Sequence, residues 1–257
     1  MPMAQALLPD DPWPQDDPPE WMPPTPPTQD ELPCDDGEPM ETQRHKWQMD
    51  ILIDALDHWL QERGEGYTNG NMFVYFSLEQ TRGRHFRGPD VFVVLGVPRG
   101  ERKSWVVWEQ GKAPDVVIEL LSPTTAAADK GEKKTIYQNL MRVPEYFWFD
   151  PFNQKDRAGF CLTDGGYQPI EPDDQGRLHS PLLGLALVLW QGEYQNLDGT
   201  WLRWALPDGT VLPTHAEAAW QAAADAQRRA DTEQARAERA EAEIARLTAL
   251  LERDGTR

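Results

Sequence analysis

The chain has only two cysteines, Cys34 and Cys161, in 257 residues. That excludes a disulfide framework and a zinc site built from cysteine, and leaves a reducing cytoplasm as the expected setting. The five histidines, His45, His58, His85, His179 and His215, are scattered and show no metal-ligand spacing. No stretch of about 18 consecutive apolar residues is available to span a membrane, and no basic segment followed by an apolar one marks a secretory signal. A glycine-rich phosphate loop and a Gly-x-Ser-x-Gly elbow are absent as well, which sets aside P-loop, dinucleotide-binding and α/β-hydrolase chemistry.

Positive charge is missing from residues 1–40, which hold ten acidic residues, no Lys or Arg, and twelve of the 23 prolines. Such a composition buries too little apolar surface to offset the entropy of ordering, so a disordered leader is predicted there. Trp13, Trp21 and Met22 are its candidates for docking on the body or on a partner. Without the leader the formal charge of −18 falls to −8, and from Arg82 to Lys134 ten basic residues outnumber seven acidic ones. This positive stretch is where nucleic-acid phosphates would be bound.

Trp47, Ile51, Ala55, Leu56, Trp59 and Leu60 recur at helical spacing between Thr42 and Arg63, which predicts an amphipathic helix ended by Gly64 and Gly66. Strands are predicted at 72–78, 91–97, 104–108 and 116–121, a helix over 125–141 and a strand over 146–149. Strands alternating with helices indicate a layered α/β core over 41–151. From 152 to 213 short strands and glycine turns predict antiparallel hairpins extending that core. In the tail, 214–257, Ala223, Ala226, Ala230, Glu233, Ala237, Ala240, Ile244, Leu247 and Leu251 follow steps of three and four. They describe either one solvated helix or a coiled-coil-like element joining two copies into a homodimer.

Three residues carry candidate chemistry. Asp90 opens the apolar run Val91–Val94 and is either a turn residue after Pro89 or a metal ligand. Glu119 lies inside Val116–Leu121, where an unpaired carboxylate is too costly to keep, so it has a basic partner or a cation. Lys133 shares a helix face with Asp129 and Tyr137 and belongs either to a solvated basic face or to the same site.

The motifs Gly-Pro-Asp-Val at 88–91, Pro-Asp-Val-Val-Ile-Glu-Leu-Leu-Ser-Pro at 114–123, Asp-Lys-Gly-Glu-Lys-Lys at 129–134 and Val-Pro-Glu-Tyr-Phe-Trp-Phe-Asp-Pro at 143–151 resemble the Uma-two family of endonucleases. That family belongs to the PD-(D/E)XK, or restriction-endonuclease-like, superfamily, and the resemblance covers roughly Glu41 to Pro213. It implies a mixed central sheet flanked by helices, a Mg²⁺ ion (with Mn²⁺ as substitute) on Asp90 and Glu119, and Lys133 as the catalytic lysine. It also implies an additional carboxylate at Glu41 and DNA as the substrate. The sequence departs from the superfamily at Leu121, where a strict (D/E)XK places lysine. Arg82, Arg84, Arg87, Arg99, Arg102 and Lys103 are the candidate phosphate contacts. Two functions fit: an active phosphodiester hydrolase, or a catalytically silent module of the same fold that binds nucleic acid or protein.

Overall fold

The computed structural model describes residues 25–34, 42–77 and 86–254, with side chains to residue 249. Helix α1, Gln43–Arg63, begins where the Thr42 side chain accepts a hydrogen bond from the His45 N–H, and ends at Gly64 in the left-handed conformation, φ 74°. It buries Ile51, Leu52, Ala55, Leu56 and Leu60.

Strands β1 (Tyr67–Asn69), β2 (Val74–Tyr75), β3 (Phe86–Arg87), β4 (Val91–Val94) and β5 (Trp105–Val106) follow, then a one-turn helix α2 (Val107–Gln110) and strand β6 (Val116–Leu120). A continuous helix, α3, runs from Ala126 to Met141. Within it α-helical Ala126–Ala128 and Lys134–Ile136 alternate with π-helical Asp129–Lys133 and Tyr137–Met141. It ends at Arg142, a non-glycine residue with φ 56°. Then come β7 (Glu145–Phe149), β8 (Arg157–Thr163), β9 (Gly166–Ile170), β10 (Leu178–Ser180), β11 (Leu185–Tyr194), β12 (Leu197–Ala205) and α4 (His215–Asp254).

The central sheet has the order β1-β4-β6-β7-β8-β9 and is mixed: β6 and β7, joined through α3, are parallel, and the other pairs are antiparallel. Alternation along the strands separates two cores. Val91, Val93, Val116, Ile118, Leu120, Phe147 and Phe149 face α1, while Phe92, Val94, Val117 and Tyr146 face the other way, against Tyr137 and Met141 of α3. The fold is thus the mixed α/β class expected from the sequence.

Three details differ from the sequence reading. The hairpins after residue 151 divide, because β8 and β9 extend the central sheet whereas β10-β11-β12 form a second sheet. That second sheet packs Leu178, Leu185, Leu187, Leu202 and Trp204 into the α1 core. Strands β1 and β3, of three and two residues, are too short for periodicity to show them, while the strands expected at 72–78 and 104–108 contract to β2 and β5, with Val107 and Trp108 turning into α2. Residues 25–34, inside the predicted leader, lie on the small sheet β3-β2-β5, with Leu32 packed against Phe73, Tyr75 and Val106. Leu32 gives this part of the leader the apolar anchor that its composition as a whole lacks. Trp13, Trp21 and Met22 lie outside the described residues. No helix among the described residues is long and apolar enough to cross a membrane.

Candidate active site

In the antiparallel β4–β6 pair, Val91 is opposite Ile118 and Phe92 opposite Val117. Continued by one residue, this register sets Asp90 opposite Glu119. Both side chains therefore emerge on the face covered by α3, the face of Phe92 and Val117.

Each acid is held by more than the strand that bears it. Asp90 Oδ2 accepts the Leu120 N–H at 2.6 Å. The turn carrying Asp90 is pressed against the end of β1, since the Asn71 N–H donates to Pro89 O at 2.9 Å. At Gly70 the contact is so close that a Cβ would come within 1.8 Å of Asp90 O. Glu119 is fully buried, with Oε1 accepting the Tyr137 hydroxyl at 2.7 Å and Oε2 lying 3.3 Å from Lys133 Nζ. Lys133 Nζ also stands 2.7 Å from Asp129 Oδ1. The amine is thus turned toward the acids, with the side chain 26% exposed.

The π-helical stretch of α3 includes both Asp129 and Lys133, a widening of the helix that often accompanies functional positions. Lys133 approaches Glu119 from the helix and not from position 121 at the end of the strand. Here Leu121 is buried, and its carbonyl accepts a hydrogen bond from His45 Nε2 at 3.0 Å. Since a carbonyl only accepts, His45 carries its proton on Nε2.

The electrostatics follow from burial. Desolvation pushes the Asp90 carboxyl up, against the Leu120 N–H and the Lys133 charge, which pull it down. Glu119 is raised more strongly, first by desolvation and then by the neighbouring charges of Asp90 and Asp129, while Lys133 and the Tyr137 hydroxyl oppose the rise. For Lys133 burial works against the charge, yet Glu119 and Asp129 outweigh it and hold the group as an ammonium.

Three buried acids, Asp90, Glu119 and Asp129, thus face one cation. Asp129, 1% exposed, is paired with Lys133 through Oδ1 at 2.7 Å, while its Oδ2 has no hydrogen-bond partner among the described residues. This surplus of desolvated negative charge fits a divalent cation. Among the described residues no three His, Cys, Asp or Glu side chains are close enough to hold a metal by themselves. The residues that could hold such an ion are Asp90 and Glu119, and an ion that binds through one or two carboxylates and keeps several waters would suit them.

The site has members that sequence patterns did not assign. Asp129 and Tyr137 were legible only as helix neighbours of Lys133. Trp148, paired with Glu119 in the parallel β6–β7 register, stands beside it with its indole N–H buried and without a hydrogen-bond partner among the described residues. The basic candidates are dispersed. Arg87 lies near α3, 3.3 Å from Glu132. Arg99 is paired with Asp57 at 2.6 Å, and Lys103 with Asp30 at 2.6 Å. Arg102 is over the Tyr67 and Trp105 rings. These last three follow the end of β4 remote from Asp90. Glu41, Arg82, Arg84 and His85 lie outside the described residues.

No curated protein matches the chain. Among solved structures, that of a putative nuclease from Anabaena variabilis is similar to it at 19% identity and a TM-score of 0.41, over 58% of this chain and 88% of the other. A family model described as "Putative restriction endonuclease" matches residues 24–191, beginning inside the predicted leader and ending before Pro213. The match takes in Asp90, Glu119, Asp129 and Lys133 and spans well over half the sequence, and on that ground the chain belongs to the Uma2 family.

Proposed function

We propose that the chain is a divalent-metal-dependent endonuclease that hydrolyses phosphodiester bonds in DNA. The observation that carries this reading is the meeting of the Lys133 amine with Glu119, at 3.3 Å, beside Asp90 in the buried layer of Phe92 and Val117. Asp90 and Glu119 would hold Mg²⁺, with Mn²⁺ as substitute. Once bound, the ion supplies Lewis acidity toward the phosphodiester and toward water.

The protein's own groups prepare that chemistry. Tyr137 and the Leu120 N–H fix one oxygen of each acid, which leaves the ligand positions defined before substrate arrives. Lys133, kept protonated by Glu119 and Asp129, does not serve as a base. Its ammonium stabilises negative charge developing on the phosphoryl oxygens. Asp129 orients that ammonium. Arg87, together with Arg82 and Arg84, supplies phosphate contacts in this proposal, and Glu41 an additional carboxylate. The reading also includes a homodimer joined through α4, where Ile244 and Leu247 are 63% and 49% exposed.

Plasmid nicking tests the assignment. Supercoiled DNA treated with the wild-type chain should be nicked in Mg²⁺ or Mn²⁺ and left intact in EDTA. Glu119→Gln should fold, by circular dichroism, and not cut. A wild-type chain that leaves DNA intact in both metals overturns the proposal, and a parallel RNA substrate separates the two nucleic acids.

A further inference from the structure

Residues 25–34 rest on a surface whose chemistry is that of a peptide receptor. Two aromatic donors reach the backbone carbonyls of two prolines: Trp108 Nε1 donates to Pro27 O at 2.8 Å, and the Tyr75 hydroxyl to Pro33 O at 2.6 Å. Between these anchors Leu32 packs into a cluster of Phe73, Tyr75 and Val106, bordered by Phe86 and Trp108. Polar contacts complete the rim. Lys103 Nζ pairs with Asp30 at 2.6 Å, the Lys103 N–H donates to Gln29 Oε1 at 3.0 Å, and the Gln29 N–H donates to Glu109 Oε2 at 2.9 Å.

We propose that this aromatic face is a recognition groove for proline-flanked acidic peptides. Residues 25–34 fill it as a tethered ligand, which a peptide of the same chemistry supplied from outside the chain displaces.

The segment binds as a ligand does and not as a core element. None of its ten residues is buried, and only Pro27, Gln29 and Leu32 are half-buried. Its prolines lower the cost of docking, because each fixes its own φ and restricts the residue before it, and a turn closed by the Glu31 and Leu32 N–H groups on Thr28 O presents Leu32 to the cluster. Proline-rich segments that meet aromatic-lined grooves exploit the same low ordering entropy. The Lys103–Asp30 pair is exposed on both sides, 63% and 71%. It selects for acidic peptides while adding little to affinity. Leu32 and the two carbonyl bonds are the main hold. This inference is independent of the nuclease reading, since Asp90, Glu119 and Lys133 take no part in it.

The test uses the full chain and a fluorescein-labelled synthetic peptide of residues 23–33, read by anisotropy. In the wild-type chain the tethered segment competes at an effective concentration of about 1 mM, so the peptide binds weakly. Leu32→Asp weakens the tethered ligand and leaves the groove intact, and should tighten peptide binding by about tenfold or more. Adding Trp108→Phe to that variant should reverse the gain. A peptide that itself carries the Leu32→Asp change should not bind. Should Leu32→Asp fail to fold, Leu32→Ala removes the same apolar anchor without introducing a charge and weakens the same ligand. Absence of peptide binding to the folded variant, or equal binding of the altered peptide, overturns the proposal. So does a wild-type dimer, seen by sedimentation, that Leu32→Asp converts to monomer, because the groove then serves the leader of a second copy.

Discussion

Asp90 stands opposite Glu119 across the antiparallel β4–β6 pair, on the face of the central sheet that helix α3 covers. Placing two acids side by side in a desolvated layer is costly without a compensating cation, and Lys133 compensates only in part. Most of what can be tested about this protein follows from that imbalance.

Removal of the amine should act on both function and stability. In Lys133→Met the acids lose the ammonium paired with them, so stability without metal should fall by about 2 kcal/mol, below the roughly 3–5 kcal/mol that breaking a fully buried pair costs because Lys133 retains some exposure. Nicking should drop by about 10²-fold or more, as for loss of a group that stabilises transition-state charge. Urea denaturation and initial nicking rates measure the two effects. Unchanged nicking would remove Lys133 from the chemistry.

Stability should depend on pH in a direction that Mg²⁺ corrects. Burial pushes Asp90 up to about 6 and Glu119 up to about 8. The folded chain therefore retains protons that the unfolded chain releases near pH 4. The stability this confers is complete below that point and is lost as pH rises toward about 8. In EDTA the melting temperature should be lower at pH 8.5 than at pH 6, and added Mg²⁺ should raise it more at pH 8.5. Equal Mg²⁺ shifts at the two pH values would contradict the assignment of these acids as ligands.

Tyr137→Phe should separate positioning from fold. Loss of the hydroxyl leaves Glu119 Oε1 buried without its donor, at a cost of about 1–3 kcal/mol. Glu119 would also turn more freely, so the Mg²⁺ concentration for half-maximal nicking should rise. A variant with ordinary Mg²⁺ dependence would show that the hydroxyl only supports packing.

Two glycines offer a matched comparison. A Cβ at Gly70 meets Asp90 O at 1.8 Å, whereas one at Gly131, on the same helix as Lys133, meets nothing within 4 Å. Gly70→Ala should displace the Asp90 turn and lower both stability and nicking. Gly131→Ala should stabilise by about 0.5–1 kcal/mol through helix propensity and leave nicking intact. Thermal melts and nicking rates of both variants check the pair, and a neutral Gly70→Ala would show that the turn tolerates movement.

Assembly through α4 is accessible by sedimentation. Leu247→Asp, combined with Ile244→Asp, should convert a dimer to monomer without altering the fold of the body. A wild-type chain that is already monomeric removes the homodimer from the proposal.

The sequence by itself determined the parts of this protein that local chemistry specifies. Val91–Val94 and, but for Glu119, Val116–Leu120 are apolar because they lie in the interior of a sheet, and that made Asp90 at the mouth of the first and Glu119 inside the second conspicuous. Helices α1 and α3 showed through their spacing, and the β8–β9 hairpin through its Asp164-Gly165 turn, where both residues adopt positive φ. The tertiary structure alone decided what depends on register and long-range packing. Pairing of β4 with β6 set the two acids opposite each other, a relation that one residue of slip would abolish. Packing of α3 on the face of the sheet that bears these acids brought the Asp129–Lys133 pair to Glu119. Strands of two residues exist only because their neighbours supply the hydrogen bonds. Residues 25–34 follow the same rule, since their contacts lie about 40 to 80 residues away along the chain, and no pattern within ten residues records a partner at that distance.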